Sequence, residues 1–204
     1  MSNVRPLVAL SHRKGYLGLL FCAAKAQHLK TKTNWYVITG GPGAGKTTMV
    51  NLLKARGYKT TIENARHYFD MQRLNGKTVE EVRKHREEFQ LRVSEMQIEL
   101  ENQLSPEEII FLDRALPDAL AYYRYLNIVI DPKLSEAMHS ANYKKIFILD
   151  CLPLVHDYAR TEDEEAQKKI HAAIVNVYES LPFPIIRVPV MLPHERLDFI
   201  LKNL

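Results

Sequence analysis

The segment GGPGAGKT, residues 40–47, constrains the fold of this chain most strongly, because it follows an apolar stretch and precedes a helix-like pattern. Glycine lets the backbone curl until successive N–H groups face one point, and it has no Cβ to keep a ligand away. A ring of such donors suits an anion that carries several negative charges. The spacing Gly-x-x-x-x-Gly-Lys-Thr in this setting is that of a phosphate-binding loop, the P-loop or Walker A pattern.

The P-loop predicts how a nucleoside triphosphate is held. Pro42 lacks an N–H and stiffens the loop, whereas the helix that follows adds the positive end of its dipole. Lys46 is expected to reach the β- and γ-phosphates, and the hydroxyl of Thr47 is expected to ligate Mg²⁺. ATP is the predicted nucleotide, with GTP as the alternative. The predicted backbone donors are those of Gly43, Ala44, Gly45, Lys46, Thr47 and Thr48.

Apolar runs and helical patterns alternate along the rest of the chain. This alternation predicts βαβ units, and therefore an α/β fold with a parallel sheet flanked by helices. Ligands of such sheets bind at the carboxyl ends of the strands. Strands are predicted at 34–39, 58–63, 107–113, 144–150 and 183–190. Helices are predicted at 47–56, at 117–125 and at 194–204. A long helical region is predicted after residue 63 and includes the capping box Thr78-x-x-Glu81, and a second box, Thr161-x-x-Glu164, opens another long helix.

The helical region after Thr78 carries a regularly spaced set of apolar residues. Their separations are close to whole helical turns, which predicts that they face the core. These residues are Val82, Phe89, Val93, Met96 and Leu100.

Length, charge and cysteine content narrow the class of protein. A chain of 204 residues suits one compact domain. Its formal charge of +4 is spread along the chain rather than concentrated on one stripe, so nucleic acid is not an expected partner. No apolar run is long enough to span a membrane. Cys22 and Cys151 have neither disulfide-framework nor zinc-site spacing, which fits a reducing, cytoplasmic location.

Residues 1–33 precede the first predicted strand and form an N-terminal extension, which we expect to be poorly ordered or to lie outside the core. Residues 34–204 are the predicted P-loop nucleotide-binding domain. Basic residues in the extension precede the apolar segment GYLGLLFCAAKA, which outlines a secretory signal peptide. Lys25 interrupts the end of that segment, and a nucleotide-dependent function is expected in the cytoplasm, so export is the less favoured interpretation.

Two buried strands end in aspartate, and a P-loop enzyme needs an acid near its metal. Asp113 ends the run IIFLD, and Asp150 ends the run IFILD. Asp113 is the preferred metal ligand beside Thr47, because Arg114 follows it and adds a cation at the same sheet edge. Asp150 remains the alternative. Asp118 places a second acid near Arg114.

Other classes of P-loop protein fit less well. Ras-like GTPases carry Asn-Lys-x-Asp and Asp-x-x-Gly motifs, which this sequence lacks. Ring-forming AAA+ motors place a glutamate after the metal-binding aspartate in order to polarise water, whereas this chain has Arg114 there. What remains is the design of a small kinase, with a P-loop, an Asp-Arg pair at a strand end and a short lid that carries an arginine.

Two further charged segments complete the predicted site. Glu63 ends the second predicted strand, where its carboxylate could accept a hydroxyl proton or hold an acceptor hydroxyl, and Arg66 lies one turn on. Arg160, in DYARTEDEEAQ, is predicted to lie in the lid and to stabilise charge on the transferring phosphoryl group. The predicted catalytic residues are Lys46, Glu63, Asp113, Arg114 and Arg160. The predicted acceptor-binding residues are Glu63, Arg66, Arg114 and Asp118.

Together these segments resemble a known family, the small P-loop domain shared by the bacterial NadR ribosylnicotinamide-kinase module and the eukaryotic TTD-type GTP-binding proteins, which belong to the AAA-type ATPase domains. The resemblance covers residues 35–204 and includes VITGGPGAGKTTMVNLL, TIENARHYF and FLDRALPDALAYY. It implies a nucleoside- and nucleotide-kinase-like fold with a five-stranded parallel sheet. Members of the family differ in substrate, so the resemblance leaves the acceptor open.

The sequence therefore predicts an ATP-binding, Mg²⁺-dependent kinase that transfers the γ-phosphoryl group to a hydroxyl of a nucleoside-like or other small metabolite. The alternative is a nucleotide-regulated binding module, or a slow NTPase, that signals to a protein or lipid partner. Simple hydrolysis is less favoured, because no acid is placed to polarise water. A small-molecule acceptor is the expected partner, and the oligomeric state is not predicted.

Overall fold

Five short parallel strands form one sheet at the centre of the domain. They are β1 (Trp35–Thr39), β2 (Lys59–Thr60), β3 (Ile110–Asp113), β4 (Lys145–Leu149) and β5 (Ile185–Val188). The order is β2-β3-β1-β4-β5, so the strand that leads into the P-loop is the middle one. The computed structural model describes residues 32–153 and 163–204. The predicted five-stranded parallel sheet is confirmed.

Helices flank the sheet on both faces. Within the described residues they are α1 (Lys46–Ala55), α2 (Asn64–Leu74), α3 (Val79–Lys84), α4 (Arg86–Gln103), α5 (Leu116–Tyr125), α6 (Pro132–Ser140), α7 (Glu164–Glu179) and α8 (Pro193–Lys202). None of these helices is long and apolar enough to cross a membrane. Most of the predicted extension, residues 1–31, lies outside the described residues, but the hydroxyl of Thr33 donates to the carbonyl of Asn142 at 2.8 Å.

Alternate residues of β1 face two separate layers of the core. Val37 packs into a cluster formed with helices α5 and α7, whereas Ile38 packs into a cluster formed with α1 and α8. A strand buried on both faces needs apolar side chains at nearly every position, as parallel sheets covered by helices require. This explains why the central strands read as continuous apolar runs in the sequence.

Two elements differ from the prediction. The second strand was expected at 58–63, but only Lys59–Thr60 pairs as β2, because the chain turns into α2 at Asn64. Helix α6 was not predicted. It begins at Pro132 after Asp131, whose side chain accepts a hydrogen bond from the N–H of Lys133 (2.6 Å). Leu134 is buried in the core, and Ala137 and Met138 pack against the same cluster while partly exposed. A helix this short gives only one repeat of the apolar spacing, which is a weak signal in the sequence.

The two predicted capping boxes have different outcomes. The box at Thr78 is confirmed, since its hydroxyl accepts from the N–H of Glu81 (3.2 Å) and the Glu81 carboxylate accepts from the N–H of Thr78 (2.7 Å). The second box was predicted with the wrong N-cap residue. Helix α7 begins at Glu164 after Asp163, whose side chain accepts from the N–H of Ala166 at 2.7 Å. Thr161, the predicted cap, lies outside the described residues.

The buried face of α4 is polar, which corrects most of the prediction for the apolar set after Thr78. Val82, on α3, is buried and Phe89 packs against its small core cluster, whereas Val93, Met96 and Leu100 are partly exposed. The α4 residues that face inward are Gln90, Ser94, Gln97 and Glu101. They are tolerated in the interior because hydrogen bonds satisfy several of their polar groups.

A chain of these hydrogen bonds crosses the domain through Glu101. Asn64 donates to Gln97 (2.8 Å), and Gln97 donates to Glu101 (2.8 Å). The hydroxyl of Tyr143 and the N–H of Leu116 also donate to the Glu101 carboxyl group, at 2.8 and 3.0 Å. Burial raises the pKa of Glu101 to about 7, although these three donors act in the opposite direction.

The raised pKa of Glu101 makes stability depend on pH. From the ordinary value of 4.5 up to about 7, the folded protein keeps a proton that the unfolded chain releases, so the free energy of unfolding falls as pH rises through this range. A glutamine does not titrate; its carbonyl oxygen can accept from Gln97 and Leu116, and its amide group can donate to the oxygen of the Tyr143 hydroxyl. As pH rises from 5 to 8, the free energy of unfolding of Glu101→Gln should therefore increase by about 2 kcal/mol relative to that of wild type.

Urea denaturation at several pH values measures this difference. Glu99→Gln, at an exposed position of the same helix, is the matched control and should follow wild type. A constant difference between Glu101→Gln and wild type across this range would contradict the account of the buried carboxyl group.

Candidate active site

The P-loop joins the end of β1 to the start of α1 and wraps closely around one point. At Gly40 φ is +141°, and a Cβ there would lie 2.5 Å from the carbonyl oxygen of Leu149. Gly45 has φ +84° and occupies the N-cap position of α1, where no side chain caps the helix. The first-turn N–H groups of α1 therefore have no side-chain cap and can bind an anion.

Two side chains of α7 hold the tip of the loop. Gln167 donates to the carbonyl of Pro42 at 2.8 Å, and Nδ1 of His171 accepts from the N–H of Gly41 at 3.2 Å. Burial lowers the pKa of His171, which keeps this nitrogen available as an acceptor. Sequence analysis missed both residues. Their only signal is a polar pair four residues apart on a helix that is otherwise apolar on that side.

Arg196 holds the loop from the opposite side, and sequence analysis missed it as well. This α8 residue is only 2% exposed. It donates to the carbonyls of Ala44 (2.7 Å), Asp150 (2.9 Å) and Pro189 (2.8 Å). One guanidinium group thus ties the P-loop to the ends of two neighbouring strands.

Lys46 is buried and contacts the backbone of its own loop. Its Nζ donates to the carbonyls of Gly40 (3.0 Å) and Gly41 (2.8 Å). Burial and the nearby charge of Arg114 lower the pKa of Lys46 to about 8, so the ammonium is still largely charged at neutral pH. The N–H of Ala44, a predicted phosphate donor, contacts the Gly41 carbonyl at 3.3 Å and would leave it to bind phosphate.

Replacing Lys46 tests the nucleotide site. Lys46→Ala removes a point charge but keeps the loop backbone, so affinity for Mg·ATP should fall by about tenfold or more. Isothermal titration calorimetry measures the change. Lys54→Ala, an exposed position on the same helix, is the control and should bind like wild type. Equal affinity in wild type and Lys46→Ala would rule out the assignment of the triphosphate site.

Arg114 joins the end of β3 to the P-loop. Its backbone has φ +69°, unusual for a residue with a side chain. Nε donates to Glu63 at 3.0 Å, and one terminal nitrogen donates to Asp118 at 2.8 Å and lies 3.4 Å from the Gly40 carbonyl. The structure therefore brings three predicted site residues together beside the loop.

Glu63 lies at the start of α2, close to two arginines. Its carboxylate accepts from Arg114 and lies 3.7 Å from Nε of Arg66. Burial alone would raise its pKa, but Arg114 and Lys46 lower it to about 2. Such an anion is a weak proton acceptor, so the geometry favours a carboxylate that orients an acceptor hydroxyl.

Asp118 is buried within the same cluster. Its two oxygens accept hydrogen bonds from Arg114 (2.8 Å), Thr39 (2.6 Å), Tyr178 (2.6 Å) and the N–H of Ala115 (3.1 Å). Four donors occupy the four lone-pair directions of a carboxylate. The predicted contact between Asp118 and a substrate is therefore less favoured than a role in holding Arg114.

Asp113 carries the feature expected of a metal ligand. It is 3% exposed, and its Oδ1 has no hydrogen-bond partner among the described residues. Burial and the neighbouring Glu63 raise its pKa to about 7, a cost that a bound cation would offset. Thr47, partly exposed at the start of α1, would supply a hydroxyl as the second protein ligand. These two residues fit Mg²⁺, which takes few protein ligands when phosphates and water complete its shell.

Asp150, the alternative metal ligand, is less buried than Asp113. It follows β4 and is partly exposed, and its backbone bonds to Val188 and Arg196. The described residues contain no cluster of three or more histidine, cysteine, aspartate or glutamate side chains that could hold a metal by itself. Arg160, the predicted lid residue, lies outside the described residues, and its role stays a prediction.

A cavity of about 290 Å³ opens beside the P-loop, between α2, α4 and α5. This is near the lower end of the range for small-ligand pockets. Lys46, Glu63 and Arg114 all line it, so the loop lysine and the strand-end cluster share one space. Its other walls combine aromatic and polar side chains, including Phe69, Phe89, Gln90, Gln97, Tyr122 and Tyr125.

A central strand, a P-loop, a helix and an Asp-Arg pair at the next strand define a P-loop nucleotide-binding domain. Residues 35–196 match the sequence profile of an AAA domain family, and the chain belongs to that family. No curated protein sequence matches the chain closely enough to count as a relative.

Solved structures show the same fold. NadR in complex with NAD and AMP-PNP aligns with TM-score 0.62 and 16% identity over 84% of this chain, which spans about half (49%) of NadR. Deoxyadenosine kinase from M. mycoides gives TM-score 0.59 and 16% identity, over 83% of this chain and 97% of that enzyme. Thymidylate kinase from Ehrlichia chaffeensis gives TM-score 0.56 and 14% identity, over 84% of this chain and 98% of that enzyme. The predicted nucleoside- and nucleotide-kinase-like fold is confirmed.

Proposed function

We propose that this protein is a kinase that transfers the γ-phosphoryl group of ATP to a hydroxyl of a small, nucleoside-like or related metabolite. The observation that carries the proposal is the shared cavity. Lys46 and Arg114 lie there beside a carboxylate, Glu63, at the carboxyl ends of parallel strands. The kinases among the structures of similar fold support this choice over a binding module.

Phosphoryl transfer depends more on positioning the acceptor hydroxyl and the γ-phosphate than on a strong base that removes the hydroxyl proton. The acceptor oxygen forms a bond to the γ-phosphorus while the bond from that phosphorus to the β–γ bridging oxygen breaks, which yields ADP and a phosphate monoester. Glu63 orients the acceptor hydroxyl, and the proton of that hydroxyl passes to solvent water. Because the transition state is loose, the proton can leave late, and the low pKa of Glu63 is compatible with this role.

The cations act on the phosphate charge. Lys46 can exchange its two carbonyl contacts in the loop for phosphate oxygens, while Arg114 is held ready by Glu63 and Asp118. Thr47 and Asp113 would hold Mg²⁺, which neutralises charge on the phosphate oxygens when it is bound. In this proposal Arg160 adds a further positive charge from the lid, and the protein acts in the cytoplasm.

Phosphorus NMR of ATP incubated with a pool of nucleosides, sugars and vitamins tests the proposal. Wild type should produce a new phosphoester signal together with ADP. Glu63→Gln should reduce that signal by about a hundredfold while Mg·ATP affinity stays within about twofold, since the carboxylate acts on the acceptor.

Glu107→Gln is the matched control, because Glu107 lies exposed just before β3, away from the cavity. It should transfer phosphate like wild type. Tight binding of ATP by wild type with no phosphoester across the whole pool would contradict the kinase proposal and favour a nucleotide-regulated switch.

A further inference from the structure

We infer that Gln90 recognises the acceptor through a planar group whose edge carries a hydrogen-bond donor beside a hydrogen-bond acceptor, as in a nucleobase or an aromatic carboxamide. This inference rests on the proposed kinase activity and adds the chemical class of its substrate. Gln90 lies on α4 and lines the cavity that Lys46 and Glu63 share.

The first argument is that the amide group of Gln90 has no partner within the described part of the chain. The residue is only 6% exposed, and its amide forms no hydrogen bond with another described residue. Buried side-chain amides are nearly always hydrogen-bonded, because an unpaired buried polar group costs about 1–3 kcal/mol. Since Gln90 lines the cavity, a ligand bound there would supply the missing partners.

The other inward-facing residues of α4 differ from Gln90 in this respect. Ser94 donates to a backbone carbonyl three residues earlier (2.8 Å). Gln97 donates to Glu101 (2.8 Å) and accepts from Asn64 (2.8 Å), so both polar atoms of its amide are paired. The polar network of α4 therefore includes the amide of Gln97 and leaves that of Gln90 for a ligand.

The position of Gln90 relative to Glu63 is the second argument. Gln97 bonds to Asn64, which is the residue next to Glu63. Gln90 precedes Gln97 by seven residues, or about two turns, which places it on the same face of α4 and about 10 Å away along the helix axis. One small molecule can therefore present a hydroxyl to Glu63 and a planar group to Gln90.

The aromatic walls of the cavity are the third argument. Phe69 and Phe89 stack with 4.7 Å between ring centroids, and Tyr122 and Tyr125 line the same cavity. Such side chains offer apolar surface to a planar ring. The carboxamide of a glutamine presents an N–H donor and an oxygen acceptor side by side, and these pair with the complementary edge of a base or of another amide.

Paired probes test this inference on the full chain with its P-loop saturated by Mg²⁺ and AMP-PNP, so that a nucleoside cannot bind at the nucleotide site. The second member of each pair lacks the donor. The pairs are adenosine and purine riboside, cytidine and zebularine, and nicotinamide riboside and its 3-acetylpyridine analogue. Calorimetry should show at least one complete member binding about tenfold or more tightly than its counterpart, which leaves the Gln90 amide partly unpaired. The pair that shows this preference distinguishes a nucleobase from a carboxamide.

The variant Gln90→Met locates the contact. Methionine has a similar size but no amide, so this variant should bind both members of the pair with about equal affinity. Because the amide has no partner among the described residues, the free energy of unfolding of Gln90→Met in urea should match or exceed that of wild type. Gln103→Met, at an exposed position of the same helix, is the matched control and should keep the preference.

Two results in the binding assay would overturn the inference: no preference within any pair, or a preference that survives Gln90→Met. A marked loss of stability in Gln90→Met would overturn it as well, since the amide would then be bonded within the folded protein.

Phosphoryl transfer from ATP to the same probes separates this inference from the proposed function. Transfer by wild type at equal rates to both members of every pair would overturn the recognition by Gln90 and leave the kinase standing. Gln90-dependent binding of a complete member with no transfer from ATP would support the recognition and count against the kinase.

Discussion

The two ion pairs of Arg114 are the interaction on which the rest of the site depends. They join the end of β3 to Glu63 at the start of α2 and to Asp118 on α5, and the same guanidinium reaches toward the Gly40 carbonyl of the P-loop. The side chains of Arg114, Glu63 and Asp118 are only 12%, 16% and 3% exposed, so removing the guanidinium would take from two largely buried carboxylates the cation that they share, at a cost of about 3–5 kcal/mol. The cluster therefore fixes the cavity relative to the P-loop.

The same cluster gives two neighbouring carboxyl groups opposite properties. Close arginine and lysine charges lower the pKa of Glu63 to about 2 against the effect of burial. Burial and the Glu63 charge instead raise the pKa of Asp113 to about 7. One carboxylate is thus ionised and paired within the protein, while the other lacks a partner and fits a cation. In the proposed reaction, the acceptor would therefore lie on the α2 side of the site and the metal at the end of β3.

The sequence was sufficient for features that depend on local pattern. The P-loop, the buried strands and the Asp-Arg pair each occupy a few consecutive residues, and the family resemblance supplied the sheet. Contacts between distant segments could not be predicted. Arg196 binds a loop residue 152 positions away, and Glu101 meets Tyr143 across 42 positions. The buried polar face of α4 was not predicted, because apolar spacing indicates the buried side of a helix only where no hydrogen-bonded network of polar side chains occupies the interior.

In the proposed kinase, the end of β3, rather than the end of β4, forms the metal side of the phosphoryl-transfer site. Mg²⁺-dependent production of ADP by Asp113→Asn and Asp150→Asn, each measured with the acceptor pool, distinguishes the two strand ends. We expect Asp113→Asn to lose about a hundredfold or more in turnover and Asp150→Asn to stay within about threefold of wild type. Normal turnover in Asp113→Asn, together with loss of turnover in Asp150→Asn, would contradict it.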